Sequence, residues 1–138
     1  MACFDTSVLL DLMGRGGRVG MRRASAAIRR LCDEGKSLTT TCFNVSELMV
    51  GVHRANDADR EREKMNTALE GFRVLTFDPA CAELFGLIQG RLLKVGRPTG
   101  DMDALIASVA IRHQETLITS NVKHFADIPE IELEAYAV

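Results

Sequence analysis

The sequence predicts an α/β fold with a mostly parallel central sheet and helices on both faces. Short apolar segments rich in β-branched residues alternate with longer segments in which apolar residues recur every three or four positions. This alternation is typical of parallel strands joined by crossover helices. Because the chain has 138 residues and no Pro- or Gly-rich linker, we expect a single domain spanning residues 1–138.

The first half of the chain is predicted to contain two strands, each followed by two helices. Gly35 lies where a helix C-terminus favours glycine, and Asn44-Val-Ser-Glu47 resembles a capping box that would begin a helix at Asn44. The predicted elements are a strand at Ala2–Asp5, helices at Ser7–Met13 and Val19–Asp33, a strand at Ser37–Thr41, a helix from Asn44, and a charged helix from Asp57 or Asp59 to near Gly71.

The second half is predicted to contain three strands and two helices. Pro79 favours the first turn of a helix that ends at Gly96. The other elements are strands at Val74–Phe77, Thr116–Thr119 and Ile131–Tyr136, the last at a sheet edge, and a helix that begins at Gly100–Asp103.

Composition excludes several classes of protein. Hydrophobic residues make up 46% of the chain and charged residues 26%, which excludes disorder. No apolar run approaches the ~18 residues of a membrane span, and Met1–Asp5 does not resemble a signal peptide, so we expect a cytoplasmic protein. The chain has no C-x-x-C pair, which argues against a zinc ribbon or a disulfide scaffold. We therefore expect buried thiols at all four cysteines, Cys3, Cys32, Cys42 and Cys81.

Charge is unevenly distributed although the formal net charge is −2. The segment 12–32 has no acid and six arginines, whereas the segment 126–138 has acids and no base. The basic run could be a solvated face, a surface for phosphates or a surface for an acidic partner. The candidate phosphate contacts are Arg15, Arg18, Arg22, Arg23, Arg29 and Arg30, with Arg91, Lys94 and Arg97 further along the chain.

Polar residues follow the predicted strands at the carboxyl edge of the sheet, where ligands of α/β proteins bind. Each has an ordinary alternative role as a helix cap or a turn residue. Asp5 could cap the first helix, Glu47 could complete the capping box with Asn44, and Asp101 could cap a helix beginning near Met102. The candidates are Asp5, Glu47, Asp101, Asp103 and Asn121.

Together these residues predict a cation site. Two carboxylates about 4 Å apart repel by roughly 4 kcal/mol at an effective dielectric constant of 20. Three such pairs would cost on the order of 10 kcal/mol, which is comparable with the stability of a domain. Such a cluster persists if its members share protons or bind a cation. Oxygen ligands suit Mg²⁺ or Mn²⁺, and those ions support phosphodiester hydrolysis.

Four motifs occur in order and span nearly the whole chain. They are Phe4-Asp-Thr-Ser-Val-Leu-Leu10, Asn44-Val-Ser-Glu-Leu-Met-Val-Gly51, Gly100-Asp-Met-Asp-Ala-Leu-Ile-Ala-Ser-Val-Ala110, and Leu117-Ile-Thr-Ser-Asn121 followed by His124-Phe125 and Ile128-Pro129. Together they resemble the motifs of the PIN-domain ribonucleases, and most closely those of VapC-type toxins from toxin–antitoxin pairs.

The resemblance implies a three-layer PIN-like fold and endonucleolytic hydrolysis of RNA that depends on Mg²⁺, with Mn²⁺ as the alternative. It implies that Asp5, Glu47 and Asp103 are the catalytic metal ligands. Asn121 stands at a catalytic position where many members have a fourth acid, and Asp101 is an additional candidate ligand. Thr6, Ser7 and Thr119 could tune the site by hydrogen bonds, whereas His53, His113 and His124 are interpreted as structural or surface residues.

The same resemblance implies a homodimer and a cognate antitoxin that blocks the active-site groove. The helix faces around Met21–Leu31 and Phe85–Leu93 are candidates for self-association. One alternative is a PIN nuclease of RNA processing. A second is a catalytically silent module that binds RNA or a partner, with Asn121 marking lost activity. A receiver-like domain is disfavoured, because such a domain needs an acidic pair after the first strand.

Overall fold

The computed structural model describes residues 1–136. Within them, five strands alternate with seven helices. The elements are β1 (Ala2–Phe4), α1 (Thr6–Leu12), α2 (Gly17–Asp33), β2 (Leu38–Thr41), α3 (Cys42–Arg54), α4 (Ala58–Ala68), β3 (Arg73–Leu75), α5 (Pro79–Lys94), α6 (Asp101–Arg112), β4 (Thr116–Thr119), α7 (Val122–Phe125) and β5 (Glu132–Ala135).

The sheet has the order β3-β2-β1-β4-β5, and every pair of neighbouring strands is parallel. The predicted α/β class is therefore confirmed, and so is the position of β5 at an edge. β1 lies in the centre, between β2 and β4. Since the chain crosses from one side of β1 to the other between β3 and β4, the topological switch point lies beside β1, where such sheets bind ligands.

Alternate residues of the strands pack into two cores, one on each face of the sheet. Phe4 and Ile118 belong to the core that α1–α4 cover. Cys3 and Leu117 belong to the opposite core, which α5, α6 and α7 cover. This gives three layers, with helices on both faces, as predicted. None of the helices in residues 1–136 is long and apolar enough to cross a membrane.

The predicted start of α3 at Asn44 is wrong. The helix begins at Cys42, directly after β2, and Thr41 is its N-cap. Thr41 and Asn44 form the capping box: the backbone N–H of Asn44 donates to Thr41 Oγ1 at 3.2 Å, and Asn44 Oδ1 accepts from the backbone N–H of Thr41 at 3.3 Å. Glu47 therefore lies one turn further along α3 and is not needed as a cap.

Three smaller predictions also need correction. β3 is Arg73–Leu75 and not Val74–Phe77, because it pairs with only three residues of β2. α7 was not predicted, since a helix of four residues leaves no periodic pattern. Buried thiols are confirmed for Cys3 and Cys81, but Cys32 is exposed in the last turn of α2 and Cys42 is half-buried.

Candidate active site

Asp5 is the most tightly held of the candidate residues. It follows β1, is only 6% exposed and is the N-cap of α1, so its alternative role as a cap is confirmed. Its Oδ1 also accepts from Asn44 Nδ2 at 2.9 Å, and its Oδ2 accepts from Thr119 Oγ1 at 2.6 Å. A carboxylate oxygen has two lone pairs, so Oδ2 keeps one for a further ligand.

Asn44 is a site residue that the sequence analysis missed. It is fully buried, and its amide also donates from Nδ2 to Thr6 Oγ1 at 2.9 Å. Its Oδ1 accepts from Thr41 Oγ1 at 2.7 Å. One side chain thus joins the end of β2 to the residues that follow β1. The sequence pattern that could have indicated the role of Asn44 is Thr41-x-x-Asn44, a capping pair at the end of a predicted strand.

Glu47 lies on α3, and Thr6 Oγ1 donates to its Oε1 at 3.0 Å. The partial removal of solvent raises the pKa of the Glu47 carboxyl, and the charges of Asp5 and Asp103 raise it further. The hydrogen bond from Thr6 acts in the opposite direction. Because Asp5 and Asp103 both contribute to the raised pKa of Glu47, the three carboxyl groups lie within electrostatic reach of one another.

Asp103 lies half-buried in the first turn of α6. Burial raises the pKa of its carboxyl, and Asp5 adds to that shift, whereas His124 opposes it. His124 Nδ1 lies 3.3 Å from Asp103 Oδ2. His124 is exposed, as its interpretation as a surface residue requires, but the sequence did not indicate its contact with a candidate ligand.

Asp101 does not join the three carboxyl groups. It is exposed, and its Oδ1 accepts from Gln89 Nε2 at 3.2 Å. Its alternative role as a cap is also wrong, because the N-cap of α6 is Gly100. Helix residues that are two positions apart do not share a face, and residues 101 and 103 accordingly face α5 and the cluster.

Asn121 lies at the N-cap position of α7 and is exposed. Its backbone N–H donates to Thr119 Oγ1 at 2.9 Å, and that hydroxyl donates in turn to Asp5. Of the three residues expected to tune the site, Thr6 and Thr119 contact carboxylates. Ser7 instead accepts from the backbone N–H of Ser120 at 3.3 Å and so holds the turn after β4.

The donor set fits a hard divalent cation in kind, since it consists of carboxylate oxygens with an amide nearby. Within residues 1–136, no three His, Cys, Asp or Glu side chains are grouped closely enough to hold an ion as they stand. Asp5, Glu47 and Asp103 are nevertheless close enough to repel one another, and a cation relieves that repulsion. Glu47 and Asp103 are less buried than Asp5, so their side chains have room to turn.

Comparisons with known proteins agree with this architecture. The model of the PIN domain matches residues 2–131. The Ribonuclease VapC2 of Rickettsia felis is 29% identical over 104 residues, which cover 75% of this chain and 78% of the relative. A solved structure of VapBC2 from the same organism, bound to a DNA fragment from its promoter, superimposes with a TM-score of 0.88 at 23% identity and covers 99% of this chain and 98% of that chain.

A second solved structure is a toxin–antitoxin complex from Klebsiella pneumoniae. It is 28% identical to this chain, has a TM-score of 0.67, and the match covers 95% of each chain. The match to the PIN domain family model spans nearly all of the residues described above, including the three carboxylates and Asn121. The chain belongs to the PIN domain family.

Proposed function

We propose that this protein is a metal-dependent endoribonuclease and the toxin of a toxin–antitoxin pair. The observation that carries the proposal is the network of hydrogen bonds that links Asp5 to Glu47 beside the switch point of the sheet, with Asp103 within electrostatic reach of both carboxyl groups. The name of the ribonuclease relative and the toxin–antitoxin complex among the solved structures support it.

Asp5, Glu47 and Asp103 would hold Mg²⁺, with Mn²⁺ as the alternative. A bound divalent cation supplies charge neutralisation at the scissile phosphate and activation of water. The chain supplies the positioning: Asn44 and Thr119 fix the Asp5 carboxylate, and Thr6 orients Glu47. Asn121 is proposed to orient water or substrate through its amide, which adds no charge. Asp101 is not among the proposed ligands, because its carboxylate accepts a hydrogen bond from Gln89.

The arginines of the basic run divide into two sets of three in the structure. Arg15, Arg23 and Arg30 form ion pairs with Glu61, Asp11 and Glu134. Among the described residues, no carboxylate lies within 4.0 Å of the other three. Those arginines, Arg18, Arg22 and Arg29, line a surface groove with Met21. We propose that this groove receives an acidic segment of the antitoxin, because its cations have no partner within the described chain.

We propose that the protein forms a homodimer through α5, one of the two helix faces that the sequence indicated. Leu87 is 49% exposed and Leu93 is 63% exposed on this helix. A Cβ added at Gly86 or Gly90 would meet nothing within 4 Å, so a second helix could approach closely. Exposed apolar patches mark sites of protein–protein association.

One observation favours the second candidate, a silent module that binds RNA or a partner. An amide stands at position 121, so that position contributes no charge toward a second metal ion. Under this alternative the carboxylates bind a structural cation. The wild type would then cleave no RNA, and substitution of a carboxylate would leave partner binding unchanged.

Cleavage assays with matched variants separate the two functions. Purified protein, freed of any partner, would be incubated with total tRNA and rRNA in Mg²⁺, in Mn²⁺ and in EDTA. We expect discrete cuts that require a metal and fall by about 100-fold or more in Asp103→Asn. Asp101→Asn is the matched control, in the same helical turn, and should retain cleavage. Folded wild-type protein that makes no cuts with either metal would rule out the nuclease.

A further inference from the structure

We propose that a cleft beside Asp103 binds a backbone phosphate of the RNA strand next to the scissile one, through Lys123 and Arg97. This inference rests on the proposed ribonuclease function and identifies where the substrate would leave the carboxylate cluster. The ligand class is a phosphodiester of single-stranded RNA, recognised by charge rather than by base.

The cleft lies between the loop that precedes α6 and the short helix α7. It encloses about 400 Å³. Residues 97–100 line one side, Lys123 and His124 line the other, and Asp103 and Asp127 complete the lining. Because Asp103 belongs to both the cleft and the carboxylate cluster, a strand whose scissile phosphate lies at the cluster has a path directly into the cleft.

Hydrogen bonds hold the two sides of the cleft together. Thr99 Oγ1 donates to the carbonyl oxygen of His124 at 2.9 Å. Gln89, which is buried on α5, donates from Nε2 to the carbonyl oxygen of Thr99 at 2.9 Å. The loop is thus tied to α7 and to α5, so the cleft is formed before any ligand binds. Such preorganisation lowers the cost of binding.

The cations of the cleft are available to a phosphate. Within residues 1–136, no carboxylate lies within 4.0 Å of Lys123. Arg97 lies 3.9 Å from Asp127, and their side chains are 72% and 55% exposed. Exposed pairs of this kind contribute little, so Arg97 can exchange Asp127 for a phosphate, with which a guanidinium makes two hydrogen bonds.

The other candidate cations along this part of the chain are less suitable. Arg91 contacts Glu130 and does not line the cleft. Lys94 is exposed near the end of α5 and also lies outside the cleft. The structure therefore points to Lys123, which the sequence did not single out, and retains only Arg97 of the three residues that the sequence suggested here.

The first test compares Lys123→Gln with Lys94→Gln, a matched loss of one exposed ammonium group outside the cleft. For a short single-stranded RNA that the wild type cleaves, Lys123→Gln should raise KM about two- to fivefold and leave kcat unchanged. The slope of log binding constant against log salt concentration should fall in magnitude by about 0.7, the value for one phosphate contact on a single strand. Lys94→Gln should match the wild type in both measurements.

The second test finds the phosphate. Methylphosphonates would replace single phosphates of the RNA one at a time, and binding would be measured in a Glu47→Gln background, which stops cleavage without touching the cleft. We expect one phosphate beside the scissile bond whose replacement weakens RNA binding by the Glu47→Gln protein, which retains Lys123. The same replacement should not weaken RNA binding by the Glu47→Gln/Lys123→Gln double variant.

Two results would overturn the proposal. One is a Lys123→Gln protein whose KM and salt slope equal those of Lys94→Gln. The other is a Lys123→Gln protein that cleaves RNA normally but is inhibited less well by the antitoxin, since the cleft would then bind carboxylates of a protein. Failure of the proposed function looks different: the wild type would cleave no RNA, while the binding measurements would still decide the role of the cleft.

Discussion

The side chain of Asn44 donates to Asp5 Oδ1 at 2.9 Å and so joins the start of α3 to the end of β1. Asn44 is fully buried and Asp5 is 6% exposed, so this contact is shielded from water. A hydrogen bond to a charged acceptor contributes more than a neutral one. Asn44 is thus a positioning residue for the carboxylate that the metal would share.

Replacement of Asn44 tests that role. Asn44→Ala should lower the free energy of unfolding by about 2–4 kcal/mol, because it leaves buried partners of both amide atoms without a hydrogen bond. It should lower kcat by about 10- to 100-fold through loss of orientation of Asp5. Urea unfolding and initial rates measure the two effects. Asn66→Ala, at an exposed position of α4, is the control, and an unchanged kcat in folded Asn44→Ala would contradict the role.

Thr119 should matter to activity more than to the fold. Thr119→Val keeps the shape of a strand residue but removes the donor to Asp5 Oδ2 and the acceptor for the backbone N–H of Asn121. We expect kcat to fall about tenfold or more. Thr39→Val removes a buried hydroxyl that donates to the carbonyl oxygen of Ala2, at the other end of the same sheet. If both variants lose activity equally, the effect of Thr119 is one of stability alone.

Metal binding should be visible as stabilisation of the folded protein. At ten times the dissociation constant, a cation adds about 1.4 kcal/mol to the free energy of unfolding. The melting temperature of the wild type should therefore rise with Mg²⁺ or Mn²⁺. In EDTA, Glu47→Gln should be more stable than the wild type, since it removes repulsion from Asp5 and Asp103. If the metal raises the melting temperature of Glu47→Gln as much as that of the wild type, Glu47 is not a metal ligand.

Glu115 should make stability depend on pH. It is 3% exposed, its Oε1 lies 3.2 Å from Thr39 Oγ1, and burial raises the pKa of its carboxyl despite nearby cations. The folded state therefore binds a proton more strongly than the unfolded chain, whose glutamate has a pKa of about 4.3. Stability falls as pH rises from that value through the raised pKa. Glu115→Gln should be more stable than the wild type at pH 8, with the difference smaller at pH 4; parallel curves would disprove this.

The two sets of arginines should differ in their contribution to stability. Exchange of Arg15, Arg23 and Arg30 for Gln removes contacts to α4, α1 and β5, so the melting temperature should fall. The same exchange at Arg18, Arg22 and Arg29 removes no ion pair among the described residues, and the melting temperature should stay near that of the wild type. Equal decreases in melting temperature in the two triple variants would mean that the ion pairs of Arg15, Arg23 and Arg30 do not stabilise the fold.

Local sequence patterns were sufficient for the order of the elements and for the family. Strands and helices alternate with distinct periods, and β1, β4 and the long helices were found within a few residues of their observed bounds. The motifs that carry Asp5, Glu47 and Asp103 could be recognised because each is local to one turn or one strand end. The two shortest elements gave weak signals: the bounds of β3, which has three residues, were displaced by one to two residues, and α7, which has four, was not predicted.

Only the tertiary structure decided which side chains meet. Thr41 and Asn44 compete with Asn44 and Glu47 for the capping box, and the direct passage from β2 into α3 selected the first pair and left Glu47 to the cluster. The resemblance favoured Asp103 as a ligand and kept Asp101 as an additional candidate, whereas the packing of α6 against α5 turned Asp101 toward Gln89. The short helix α7, which the sequence did not indicate, brings His124 to within 3.3 Å of Asp103 and places Lys123 in the lining of the same cleft. Composition and periodicity specify which faces are buried, whereas contacts between residues distant in the chain depend on how those faces pack in three dimensions.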